Sequence, residues 1–272
     1  MPDDDSTLPV KVTRRTKLWL GLGGFALLGP AGALAQPAPA AAPLTQGGEG
    51  GEGGEGGVDA DRAATDPVAF ILALDVVAAH YLAGRRAYEA GRHTAAAEMF
   101  AHPIAEIYAE LEGVFQDRGV PPFQEKMQEA STLALDRAPR GRVSAAVDQV
   151  LAALKEAEAK APGAGPSLPV RARVVGEMLD RAALQHSYAL RSRELEPYLD
   201  GLGLYLAAEA RAKAVAPALE AAGHRTQAQA MRETVRALAP AYPGMNRPAK
   251  PIAAGPLSAQ AARLKLALSD LP

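Results

Sequence analysis

The stretch Phe70–Glu112, FILALDVVAAHYLAGRRAYEAGRHTAAAEMFAHPIAEIYAELE, decides how the rest of the chain is read. Phe70, Leu74, Val77, Tyr81 and Leu82 repeat at threes and fours, which predicts a helix with one core-facing side. Gly91 can take a left-handed C-cap, and Thr94 can cap the next helix through its hydroxyl. The segment Gly91-Arg92-His93 therefore predicts a short turn between two antiparallel helices. His80 lies eleven residues before Gly91, and His102 lies eleven after it. At about 1.5 Å of rise per residue, both imidazoles stand at one level, roughly 16 Å from the turn. Glu106 and Glu110 follow His102 by one and two helical turns. Pro103 removes one backbone hydrogen bond and crowds the preceding turn, so a kink or break is expected beside His102.

Composition agrees with an all-α fold. Of the 272 residues, 48% are hydrophobic and only 5% aromatic, with alanine the largest apolar contributor. Alanine adds little buried area but has the best helix propensity, so thin helices in close contact are expected. The formal net charge of −2 predicts neither nucleic-acid nor anionic-membrane binding. With no cysteine, disulfides, thiolate metal sites and thiol catalysis are excluded.

N-terminal to the hairpin, residues 1–35 read as a signal peptide. Lys11, Arg14, Arg15 and Lys17 form a basic region, the apolar run LWLGLGGFALLG follows, and Ala33-Leu34-Ala35 offers a cleavage site before Gln36. The alternative is a retained anchor, for which the apolar run is short. Thr13-Arg14-Arg15 resembles a twin-arginine signal, but Lys17 stands where that pattern has an apolar residue, so the general secretory route is expected. Residues 36–65, QPAPAAAP followed by GGEGGEGGEGG, read as a disordered linker. The expected location is the periplasm, with no membrane span once the signal is removed.

Residues 66–240 read as an antiparallel bundle of helix pairs. Asp66-Pro67 opens the first helix as N-cap and first position. Asp75, inside the apolar run, is assigned to a polar face. Further helices are expected from Phe123 to about Arg137, Arg142 to Lys160, and Val170 to about Leu195, the last with Val174, Met178, Leu184 and Tyr188 in the core. Glu196-Pro197 bends the chain, and Asp200-Gly201-Leu202-Gly203 is expected to loosen the turn before a helix over 204–220. Gly223 and Thr226 repeat the turn chemistry of Gly91 and Thr94. Residues 241–272 read as a Pro/Gly connection and one short helix.

The constellation that points to chemistry is His80, His102, Glu106 and Glu110. Without cysteine, an exported protein would bind a transition metal through His with Asp or Glu. His102 and Glu106 project from one helical face, and His80 from the neighbouring helix completes a three-ligand set for iron(II), copper(II) or zinc(II). Glu110 is a further or outer carboxylate. The bland alternative has His80 bonded to a carbonyl, His102 capping the kink and Glu106 solvated. His186 with Glu194, Glu196 and Asp200 is a second polar group, whose carboxylates read first as helix caps and second as cation ligands. His-Glu-x-x-His, phosphate-cradling Gly/Lys loops and Gly-x-Ser-x-Gly are absent, so the hydrolase, kinase and dinucleotide readings lack their motifs.

Two resemblances rest on these residues. Gly84, Gly91, Ala96 and Phe100 match the glycine, glycine, alanine and aromatic spacing of a tetratricopeptide hairpin. The His80-to-Gly84 step and the segment His102-Pro103-Ile104-Ala105-Glu106-Ile107-Tyr108 resemble a group of uncharacterised exported bacterial proteins, most strongly over residues 70–123. That resemblance implies that His80, His102 and Glu106 matter together. A looser likeness is to imelysin-type periplasmic helical proteins linked with iron uptake, although Ala83 stands where their Gly-x-His-x-x-Glu motif has glutamate.

The leading expectation is a non-enzymatic periplasmic metal-binding or metal-handling protein. The competing one is a tetratricopeptide-like scaffold for another envelope protein, with an exposed groove lined by Tyr81, Tyr88 and Phe100.

Overall fold

The computed structural model describes residues 58–272. The expected signal peptide and most of the expected linker lie outside the described residues. Among those described, 78% are helical and none is in a strand. The fold is all-α.

Helix α1 (Ala60–Thr65) is capped by Asp59, whose carboxylate accepts from the Arg62 N–H. It occupies the last part of the stretch expected to be linker and packs on α2 (Pro67–Glu89). Asp66 caps α2 as expected, accepting from the Val68 N–H at 2.8 Å with Pro67 in the first turn. The single core face expected for α2 understates its burial, because Ile71, Ala73, Val76, Ala79, Ala83 and Ala87 are buried as well. A helix apolar on every side belongs at the centre of a bundle. Here α3, α6, α7 and α8 surround it. An 18-residue window within its 23 residues has a mean hydropathy of 1.7 and so also meets the length and composition of a membrane span, and 67% of that window is buried within the protein.

Gly91, at φ +77°, ends α2, and the Arg92 N–H returns to the Ala87 carbonyl at 2.9 Å. This is the left-handed C-cap that the sequence predicts. Gly223 does the same after α8, with the His224 N–H on Leu219 O at 2.8 Å. Thr94 does not cap α3 (His93–Pro103), which starts one residue earlier with Arg92 at the N-cap and no side-chain capping bond.

Pro103 breaks the second arm in an informative way. A π-turn, Ile104–Tyr108, follows it, in which the Ala109 N–H bonds the Ile104 carbonyl five residues back. The Ile104 N–H turns to Ala101 O, and the Phe100 carbonyl accepts instead from the Tyr81 hydroxyl at 3.0 Å. Tyr81 also donates to Met127 O and stacks on Phe100, with ring centroids 5.1 Å apart. Gly84 makes this possible, because a Cβ there would overlap the Phe100 ring. The arm continues as α4 (Ala109–Asp117).

Helices α5 (Gln124–Leu135) and α6 (Arg140–Glu158) complete one side of the bundle. On the other side, α7 (Leu168–Arg191) and α8 (Glu196–Ala221) form a long antiparallel pair, covered by α9 (Arg225–Leu238) and α10 (Ala254–Ser269). Helix α10 belongs to the same compact unit as α2. Leu184 and Tyr188, expected in the core, are 50% and 46% exposed on α7.

Asp200-Gly201-Leu202-Gly203 does not loosen the chain. It lies inside continuous α8, and its glycines serve close approach. A Cβ on Gly203 would strike the Ala79 carbonyl of α2, and one on Gly201 would strike the Tyr242 hydroxyl. Gly203 therefore lets α8 approach α2 closely, one residue from His80.

Candidate metal centre

The hairpin brings its two histidines together. The His80 and His102 ring centroids lie 6.4 Å apart at an interplanar angle of 69°. Equal distance from the Gly91 turn accounts for this level placement. A third element then joins them: Asp200 and Glu196, both near the start of α8, face the two imidazoles. The His80 Nε2 is 3.9 Å from an Asp200 oxygen, and the His102 Nδ1 is 3.7 Å from a Glu196 oxygen. Residues four apart lie on one helical face, so α8 presents its two carboxylates as a ladder one turn tall.

The ladder has an inner and an outer rung. The His80 and Asp200 side chains are 6% and 4% exposed, while those of His102 and Glu196 are 29% and 39% exposed. The inner imidazole has a defined orientation, with its Nδ1 2.9 Å from the Val76 carbonyl. A carbonyl can only accept, so Nδ1 carries the hydrogen and Nε2 is left to meet the carboxylate. Metal-binding histidines use this arrangement, with the second ring nitrogen held by a carbonyl or carboxylate. The carbonyl bond is also the one expected in the bland reading of His80.

The side chains as placed are wide of coordination. Among the described residues, no group of three or more His, Cys, Asp or Glu is set to hold a metal ion. Donors about 2.1 Å from a tetrahedral ion stand roughly 3.4 Å from one another, and two ligating imidazole centroids about 5.3 Å. The three separations observed exceed these values by between a few tenths of an ångström and about one.

Glu106 lies in the π-turn and Glu110 on α4, both on the exposed side of the arm. Asp200 does not serve as the helix cap expected first of it. Helix α8 has Leu195 at its N-cap and no side-chain capping bond, and Asp200 turns inward instead. One signal could have marked it: a lone aspartate followed by two nearby glycines among Tyr198, Leu199, Leu202, Leu204 and Tyr205.

The surroundings hold α8 in place. Arg247 donates to the Ala189 and Ser192 carbonyls at 2.7 Å, and also to Glu194 O, fixing the link before Glu196. The Tyr198 hydroxyl donates to Gly244 O at 2.6 Å and Asn246 O at 2.9 Å. Tyr242 donates to Ala182 O at 2.5 Å, and burial first, then Tyr198 and Asp200, push its phenol above the ordinary range. His186 belongs to this scaffold, with Nε2 2.8 Å from Ile252 O.

A second polar point lies on the same two helices. Asp75, expected on a polar face, is buried and gripped by Arg211 through two contacts of 2.6 Å, with Glu158 on the same guanidinium at 2.8 and 2.9 Å. The paired carboxylates hold Arg211 above the ordinary arginine range, so it stays charged.

Tyr81, Tyr88 and Phe100, the residues expected to line a docking groove, are all core residues at 2% exposure or less. The chain matches no protein-family model, and neither a curated protein nor a solved structure is significantly similar to it.

Proposed function

We propose that this is an exported, non-enzymatic protein that binds a divalent transition metal where α2, the α3 break and the start of α8 meet. The observation that carries this reading is the convergence of His80 and His102, from two arms of one hairpin, each facing a carboxylate of a third helix. Two imidazoles with carboxylates and no thiolate suit iron(II), copper(II) or zinc(II). The periplasm is the proposed location, on the strength of the N-terminal sequence. The test is metal content and calorimetric titration with these three ions near neutral pH, where the imidazoles can serve as neutral ligands. Stoichiometric binding that a His80→Ala/His102→Ala double variant loses is the expected result. Absence of binding, or binding that the double variant keeps, overturns the reading.

The second reading is a helical scaffold for an envelope protein. It now draws on a different surface, the exposed pair Leu184 and Tyr188 one turn apart on α7, with Arg191 lying over the Tyr188 ring at 5.3 Å. Failure of the metal titration would put this surface first.

A further inference from the structure

The two rungs of the ladder differ in their freedom to move. On the inner rung, His80 is held through Val76 O, and the helices that carry His80 and Asp200 are locked by Gly203 against Ala79 and Gly201 against Tyr242. On the outer rung, His102 directly precedes Pro103 and the π-turn, where the regular bonding of α3 is already interrupted. Glu196 is the first residue of α8, with a long side chain that is 39% exposed. The two His–carboxylate gaps and the His80–His102 ring separation exceed their tetrahedral values by roughly an ångström at most. The outer rung can close by a rotamer change and movement of the π-turn, whereas the inner rung, whose 3.9 Å gap also exceeds the roughly 3.4 Å span, closes by rotation of the Asp200 carboxylate while the helix seam stays in place.

We propose that His80, His102, Asp200 and Glu196 take one zinc-class divalent ion in a four-coordinate site, the His102–Glu196 rung closing onto a His80–Asp200 rung carried by fixed helices. This rests on the metal-binding reading above. Two carboxylates balance the charge of a dication, so the closed site is neutral where it is buried. Two nitrogen donors and a tetrahedral span favour zinc-like ions over calcium or magnesium, which take six or more oxygens. The ion reaches the site from the exposed His102 side.

Cobalt(II) is the probe, added to the full chain and followed by visible absorption, then displaced by zinc(II). The expected result is the intense band of four-coordinate cobalt, lost on displacement. Asp200→Asn and Glu196→Gln should each weaken binding by more than the roughly 10–100-fold typical of changes outside the ligand shell. Glu110→Gln should leave it unchanged. Glu196→Gln lies at an exposed helix start, so it keeps the test alive if core variants fail to fold. Hydrogen exchange should slow on zinc(II) binding over residues 102–112 and remain as it was over the α2–α8 seam. If the unaltered protein binds neither ion, the metal reading falls and takes this inference with it. Tight binding with a six-coordinate spectrum, or binding that survives both carboxylate variants, overturns the four-ligand site and leaves a histidine-centred metal site standing.

Discussion

The seam between α2 and α8 carries two buried polar points, and they are built differently. At one, Arg211 of α8 meets Asp75 of α2 in a two-pronged contact, and Glu158 of α6 closes the group at 2.8 and 2.9 Å. At the other, His80 of α2 and Asp200 of α8 stand 3.9 Å apart, beyond hydrogen-bonding distance. Arginine has five fixed donors and cannot shed its charge, so carboxylates placed around it form a closed structural unit. Histidine can lose its proton near neutral pH, so its pairing with a carboxylate depends on what cation, proton or metal lies between them. Tight pairing at the first point and loose pairing at the second is what separates a structural ion group from a candidate site.

The largest expected effect tests the first half of that contrast. Arg211→Met leaves Asp75 and Glu158 facing each other in a largely buried place without their cation. Breaking such a group costs about 3–5 kcal/mol. Chemical denaturation at neutral pH should register that loss, and metal binding by the folded variant should be unchanged. A loss below about 1 kcal/mol, the scale of a surface ion pair, would show that the group is solvated and that the two points do not differ in kind.

The second half is tested at Asp200. Asp200→Asn removes the charge from the inner rung but keeps its shape, and the His80 Nδ1 bond to Val76 O stays in place. The expected stability change near pH 7.5 is therefore about 1 kcal/mol or less, inside the ordinary range for point variants. Denaturation of this variant beside Arg211→Met makes the comparison direct. Equal losses would make His80–Asp200 a structural pair like Asp75–Arg211, and the ladder would lose its special standing.

The sequence made the local features of this site legible and left the long-range ones hidden. Asp66-Pro67, Gly91, Gly223 and Pro103 each act through their own backbone chemistry, so the caps, the turn and the break could be read directly. The level placement of His80 and His102 followed from counting residues along a hairpin. Asp75 and Asp200 were misassigned because their partners lie 136 residues away in one case and 120 in the other, on helices whose pairing no local pattern announces. Asp200-Gly201-Leu202-Gly203 reads as a loosened turn because glycine lowers helix propensity, whereas here Gly203 lacks the Cβ that would keep α8 off α2 and Gly201 the one that would strike Tyr242. Leu184 and Tyr188 fit the helical period but fall just outside the face that α8 covers.

The smallest effect concerns the wall behind the loose pair, where Tyr205 and Tyr242 stack with centroids 5.8 Å apart. Burial, and then the charge of Glu209, push the Tyr205 phenol up to about 12, and burial raises Tyr81 and Tyr242 further. A tyrosine in the unfolded chain ionises near 10. Its folded pKa is raised, so its contribution to stability is whole below about pH 10 and is lost as pH rises through the folded value. Thermal unfolding midpoints should therefore hold level to about pH 10 and then fall. Tyr205→Phe removes one of the protons released on unfolding, so its alkaline decline should be shallower, with little change at pH 7. An alkaline limb that Tyr205→Phe leaves untouched would mean that water already reaches this phenol, and with it the face of α8 that positions Asp200. The inner rung would then lack the dry wall that makes its loose pairing with His80 informative.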